Sequence, residues 1–210
     1  MKILFYGDSI TDAGRDYATD HEDASYGNGY VKYIVQELLA NGYKREDLIN
    51  RGISGNRIVD LYARIKVDCW NHNPDFISIL IGVNDVWHEL NYQNGVEIDR
   101  FEKVYRMLIE DTKAKLPNVK LMLLEPFVLK GLATVDEGEK WQGFLAVYEY
   151  AALVKKLAEE YGLPFVPLQD KFTAAENAGV EELLSDGVHP AENGAKLIAQ
   201  AWLEKFEEIK

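Results

Sequence analysis

The sequence predicts an α/β fold built on a parallel sheet, and three observations carry that expectation. Short apolar runs alternate with amphipathic segments through the whole chain, in the order β, α repeated five times. One run, Phe76 to Ile81, is almost unbroken in apolar character, as expected for a central parallel strand covered on both faces. At 210 residues the chain is long enough to bury a sizeable core without disulfides or metal. No internal repeat, low-complexity tract or compositional break marks a boundary, so one domain spanning residues 1–210 is expected.

The first strand is Ile3-Leu4-Phe5-Tyr6, ending in Gly7-Asp8-Ser9. A polar stretch to Asp23 lacks apolar periodicity and reads as a surface loop near the strand's end. From Gly29 to Ala40 the residues Val31, Ile34, Val35, Leu38 and Leu39 recur at helical spacing, and Asn41-Gly42 supplies the stop. Tyr26, Tyr30 and Tyr33 cluster at that helix's start as core-edge aromatics. Leu48-Ile49-Asn50 is the second strand, and the turn Arg51-Gly52-Ile53-Ser54-Gly55-Asn56 leads to a helix striped by Ile58, Leu61, Tyr62 and Ile65. After the central strand, Gly82 to Trp87 reads as its carboxyl-edge turn and Asn91 to Gly95 as a polar loop. A third helix spans about Asp99 to Leu116, stopped by Pro117-Asn118, and Lys120 to Leu124 is strand four. Val128 to Lys140 is a long connection, expected to border substrate or a subunit contact. A long helix is then predicted from about Trp141 to Tyr161, with Phe144, Leu145, Tyr148, Leu153, Val154 and Leu157 inward. Leu163 to Leu168 is the fifth strand, placed at an edge by its prolines. Ala174 to Leu184 and Ala191 to Ile209 complete the helices.

The formal net charge of -12 argues against nucleic acid, anionic membrane surfaces and polyphosphate ligands as main partners, and favours a neutral substrate. The single cysteine, Cys69, leaves no internal disulfide or cysteine-rich zinc site and reads as a buried thiol. No charged-then-apolar leader and no membrane-length apolar segment precede the first strand, so a cytoplasmic location is expected.

Four short stretches carry candidate chemistry. Ser9 follows strand one, where it is either a helix cap or a nucleophile held at the sheet's carboxyl edge. Gly55, after strand two, lies either in a plain strand-to-helix turn or in one that presents backbone N–H groups to an anion. Asn84, after strand three, is a turn residue or a side-chain donor at the same level of the sheet as Ser9. Asp186-Gly187-Val188-His189-Pro190 sets a carboxylate and an imidazole three residues apart before the last helix. A hydroxyl, an imidazole and a carboxylate are the three groups of a serine hydrolase, and loops that follow parallel strands meet on one edge. Their joint occurrence favours the catalytic reading of each.

These four blocks, Gly7-Asp8-Ser9, Ile53-Ser54-Gly55, Gly82-Val83-Asn84-Asp85 and Asp186-Gly187-Val188-His189-Pro190, resemble those of the SGNH, or GDSL, hydrolase family over essentially the full chain. The resemblance implies a three-layer α/β/α sandwich on a five-stranded parallel sheet of flavodoxin-like order, with Ser9 as nucleophile. The finer pattern, in Gly7 to Asp12 with Gly14-Arg15, Gly27-Asn28-Gly29-Tyr30, Gly52 to Asn56 and Asn84 to Trp87, is similar to the acetylxylan esterase branch of that family.

That resemblance implies a serine esterase acting on acetyl or short acyl esters of xylo-oligosaccharides or related carbohydrates. Ser9, Asp186 and His189 are then the catalytic set, and Ser9 N–H, Gly55 N–H and the Asn84 amide form the oxyanion hole. Asp8, Trp87 and Tyr92 are candidate substrate contacts, Trp141 is a second aromatic able to stack on a sugar, and Arg15 is expected to steady a loop through Asp16 or another acid. His88 and Glu89 read as a solvated pair. No metal or organic cofactor is required by this chemistry, and a homo-oligomer is a further expectation. The same machinery serves a lysophospholipase or acyl-thioesterase, which would want an apolar channel and basic patches. A non-catalytic carbohydrate-binding protein of the same fold would not react with a serine-directed phosphonate.

Overall fold

The computed structural model describes residues 1–210. Its core is a five-stranded, wholly parallel sheet of order β2-β1-β3-β4-β5, comprising β1 (Ile3–Gly7), β2 (Leu48–Gly52), β3 (Phe76–Leu80), β4 (Lys120–Leu124) and β5 (Phe165–Val166). The helices are α1 (Ser9–Asp12), α2 (Tyr30–Ala40), α3 (Ile58–Asp68), α4 (Val83–Tyr92), α5 (Ile98–Lys115), α6 (Lys140–Phe144), α7 (Val147–Tyr161), α8 (Gln169–Asn177) and α9 (Glu192–Ile209).

The layering follows from adjacent residues of β1, whose side chains must point to opposite faces. The Phe5 ring packs against Tyr30 of α2 and Trp202 of α9, while the Tyr6 hydroxyl donates to the Leu61 carbonyl of α3 at 2.6 Å. Helices α2 and α9 therefore cover one face and α3 the other, where α5 packs beside it. The register sets Gly7 of β1 level with Gly52 of β2 and Leu80 of β3, so the loops after these strands open at one level of the carboxyl edge.

Four elements differ from the sequence expectation. The stretch after β3 is helical: Val83 and Val86 of α4 turn inward, but the buried polar pair Asn84 and Asp85 breaks the apolar stripe that would reveal it. The long helix expected from Trp141 is two, broken at Leu145-Ala146, and the break shifts the phase so that Tyr150 is buried and Tyr148 is exposed. Strand β5 is only two residues long, although it does lie at the sheet's edge. Helix α8 begins five residues earlier than expected because Glu125, at the end of β4, accepts from the Leu168 and Gln169 N–H groups at 2.6 and 2.9 Å. A carboxylate at a helix N-terminus satisfies donors with no intrahelical partner.

A single cluster of 54 buried residues spans both faces. At its centre Trp202 stacks on Phe206, meets Phe5 and Phe76, and donates its indole N–H to the Ser78 hydroxyl at 2.8 Å. Trp202→Ala empties this junction and orphans Ser78, so a loss of about 3–5 kcal/mol of stability is expected in urea denaturation. A loss below about 1 kcal/mol would show that the junction does not anchor α9 to the sheet.

Candidate active site

Beyond Gly7 the chain makes one helical turn, α1. Asp8 caps it by accepting the Ile10 N–H at 2.9 Å, and Ser9 occupies its first position. The N–H of a first-turn residue has no intrahelical acceptor. The Ser9 hydroxyl lies 2.9 Å from His189 Nε2, and His189 Nδ1 lies 2.7 Å from Asp186 Oδ2. The other carboxylate oxygen of Asp186 accepts the Val188 and His189 N–H groups at 2.9 and 2.8 Å. One residue thus fixes both the turn and the tilt of the imidazole ring, through a backbone clamp and a side-chain contact. Burial works to raise the Asp186 carboxyl, but the hydrogen bonds from His189 and Val188 outweigh it and hold the group below its ordinary value.

The serine–histidine pair opens on a cleft of about 270 Å³. Gly55, with φ of +80°, lines it, and its N–H makes no hydrogen bond within the chain. Asn84 lines it too; its amide donates one hydrogen to the Asn56 carbonyl at 3.1 Å, which fixes the amide's orientation and leaves a second N–H. Helix α4 forms a whole wall, because Asn84, Trp87, His88, Asn91 and Tyr92 share one face at helical spacing. A larger groove of about 580 Å³ lies between α2 and α9, but it holds no nucleophile–base pair.

The supports of this cleft come from distant segments. Arg64 of α3 donates to the carbonyls of Gly7 and Arg51 at 3.0 and 2.9 Å and to the Asn56 side chain at 2.7 Å, tying the ends of β1 and β2 to the Gly55 loop. The connection between β4 and α6 docks on the Asp186 turn: Leu129 N–H donates to Gly187 O at 2.9 Å and Ala133 N–H to Asp186 O at 2.8 Å. Gly131 lies so close there that a β-carbon would stand 2.4 Å from Asp186. This long loop therefore packs on the turn that carries Asp186.

The structure brings Ser9, Gly55, Asn84, Trp87, Tyr92 and His189 together around the cleft, with Asp186 directly behind His189. The Trp87 ring lies 5.7 Å from that of His189, and Tyr92 stands at the rim, 69 % exposed. Two sequence candidates fall elsewhere. Asp8, expected to touch substrate, is 1 % exposed and serves as the cap of α1, and Trp141 lies under the Lys130 ammonium rather than on the cleft. Arg15 steadies its loop through the Gly52 carbonyl, at 2.8 Å, and the Tyr17 ring, not through Asp16. His88, set aside as a solvated residue, lines the cleft, as do Ser54 and Asn91. Their helical spacing after Asn84 is the signal that would have found His88 and Asn91.

Similarity to known proteins agrees with this geometry. The sequence profile of the GDSL-like Lipase/Acylhydrolase family matches residues 5–197. The chain belongs to that family. It is 36% identical to an acetylxylan esterase of Geobacillus stearothermophilus, over 98% of this chain and 93% of that one. It is 26% identical to the isoamyl acetate-hydrolyzing esterase of Saccharomyces cerevisiae, over 98% and 86% of the two chains. The crystal structure of the Geobacillus enzyme Axe2 superposes with a TM-score of 0.81 at 34% identity, covering 97% of this chain and 93% of that one. Catalytic mutants of Axe2 replace a serine, an aspartate and a histidine by alanine. This GDSL-family protein is a serine ester hydrolase, and no helix in it is long and apolar enough to cross a membrane.

Burial pushes the Asp8 carboxyl up to about 7, against the opposing pull of the Ile10 N–H and of His189. The unfolded chain releases that proton at about pH 4, so between these values the folded state binds more protons and its stability falls as pH rises. Asp8→Asn keeps an acceptor for Ile10 and removes the titration. Its urea midpoint, relative to the parent, is expected to improve from about pH 4.5 to 7.5. A difference that stays constant across that range would show that Asp8 does not hold its proton.

Proposed function

We propose that this esterase removes acetyl and other short acyl groups from xylo-oligosaccharides or related carbohydrates, through an acyl-enzyme on Ser9. The observation that carries the reading is the unbroken chain from the Ser9 hydroxyl through His189 to Asp186, at 2.9 and 2.7 Å, facing a cleft lined by Gly55 and Asn84.

In the first half-reaction Ser9 Oγ bonds to the ester carbonyl carbon as its proton passes to His189 Nε2. The carbonyl π electrons move onto oxygen, and the N–H groups of Ser9 and Gly55 and the Asn84 amide receive that charge. The carbon–oxygen bond to the sugar then breaks, and His189 returns the proton to the departing alkoxide. In the second half-reaction water gives a proton to His189 and attacks the acyl carbon; the bond to Ser9 Oγ then breaks as His189 returns that proton to it, restoring the hydroxyl and releasing acetate. Asp186 keeps Nδ1 protonated and stabilises the imidazolium throughout.

The acyl size is supported by the modest cleft and by Trp87 beside the His189 ring, and the carbohydrate class by the polar wall of α4 and by the likeness to an acetylxylan esterase. The strongly acidic chain also suits a neutral leaving group better than a phospholipid or a coenzyme A ester.

Acetate release from acetylated xylo-oligosaccharides, run beside a long-chain acyl ester, tests the reading. Release is expected to vanish in Ser9→Ala and to fall about 10²-fold or more in kcat for Asn84→Ala. Turnover of the long-chain ester alone would move the assignment to lipid or thioester hydrolysis.

A further inference from the structure

Asp12 is a buried carboxylate, 2 % exposed, that the reaction above does not use. It sits three residues beyond Ser9 on α1, and it reaches across to the turn that carries Gly55. Its Oδ2 accepts the Ser54 N–H at 2.9 Å, the Ser54 hydroxyl at 2.6 Å and the Tyr17 hydroxyl, while Oδ1 accepts the Arg15 N–H at 3.1 Å. Both donors of Ser54 are thus spent on one carboxylate oxygen. Fixing the nitrogen and the side chain of Ser54 fixes the direction of its Cα–C bond, and the Asn56 N–H on the Ile53 carbonyl, at 3.3 Å, closes the turn around the peptide plane that carries the Gly55 N–H.

We infer that Asp12 is a positioning residue of the esterase, which locks the Gly55 N–H onto the developing oxyanion in register with Ser9. The inference rests on the proposed role of the Gly55 N–H as an oxyanion donor. Because Asp12 and Ser9 share one turn of helix, the carboxylate sets the distance from nucleophile to oxyanion donor through a few bonds. The aim of such a donor matters more in the transition state than in the substrate complex, because full charge develops only there. Losing the lock therefore lowers kcat and leaves KM nearly unchanged.

The experiment compares the parent with Asp12→Ala, Ser54→Ala and the double variant on p-nitrophenyl acetate and an acetylated xylo-oligosaccharide, with Asn84→Ala alongside. Ser54→Ala keeps the backbone N–H bond and a part-exposed side chain, so it folds even if Asp12→Ala does not. Expected are a drop in kcat of about tenfold or more for Asp12→Ala and severalfold for Ser54→Ala, with KM within about twofold. Ser54→Ala should cost nothing further once Asp12 is gone, because both changes break the same link. The pH profile of kcat/KM should keep its limbs and lose only height, since His189 and Asp186 are untouched. Unchanged kcat in both single variants, equal costs of Ser54→Ala in the two backgrounds, or an effect on KM alone would overturn the inference. Loss of activity in Asn84→Ala with none in Ser54→Ala would sink the lock and leave the esterase reading standing. No effect of Asn84→Ala would instead strike at the oxyanion hole itself.

Discussion

The constraint on which this molecule depends is the close seating of α1 in the notch between the ends of β1 and β2. A serine at the start of a one-turn helix can face a cleft only if the turn lies almost on the sheet, and the space is made by residues without side chains. A β-carbon on Gly52 would stand 2.2 Å from the Asp12 nitrogen, and one on Gly7 would stand 2.3 Å from the Thr11 hydroxyl and 2.5 Å from the Leu80 carbonyl. Neither contact can be relieved by a flexible neighbour, since backbone atoms stand in the way at both places. The glycines around the serine are therefore a packing requirement first, and they set the height of Ser9 above the sheet.

So tight a seat buries polar groups, and the chain satisfies nearly all of them. Asn50 of β2 donates to the Thr11 and Tyr26 carbonyls at 2.8 and 3.1 Å and accepts the Gly52 N–H at 2.8 Å. Arg64 fills the gap on the other face with four hydrogen-bonded partners, Asp68 among them, and lies over the Tyr6 ring at 4.5 Å. A guanidinium suits that place because its planar fork can reach several carbonyls at once. The exception is Asp8, one oxygen of which has no partner. A neutral carboxyl there costs less than a buried charge, which is the physical content of its raised titration.

Much of this was legible in the sequence because parallel strands bury both faces. Phe76 to Leu80 and Lys120 to Leu124 stand out as apolar runs of strand length, and the serine, glycine, asparagine and histidine blocks sit next to such runs or before a helix. What stayed hidden is what depends on partners remote in sequence. Helix α4 escapes pattern reading because Asn84 belongs to the cleft face and Asp85 is buried where it accepts the Ile58 N–H at 3.0 Å, so two polar residues interrupt the stripe. The start of α8 is set by Glu125, more than 40 residues upstream. Arg64 looks like any charge on a helix's polar face until three strand and loop ends converge on it, and Asp8 looks like a site carboxylate until its burial is known.

The two halves of the active site are braced independently. The serine and the Gly55 turn ride on the sheet edge through Asp12, Arg64 and the β1–β2 pairing, so their spacing is as rigid as the sheet. Asp186 and His189 ride on a separate turn, held by the Leu184–Pro190 bridge, the Ser185 N–H on the His189 carbonyl, and the loop whose backbone bonds reach Asp186 and Gly187. The contact of the imidazole with the serine and the packing of its ring near Trp87 join the halves. On the proposed mechanism, residues that aim the oxyanion donors act on the stabilisation of developing charge, whereas those that brace the Asp186 turn act on proton transfer. A perturbation of one half should leave the other's geometry in place, because no hydrogen bond of the Asp186 turn ends on the Gly55 loop.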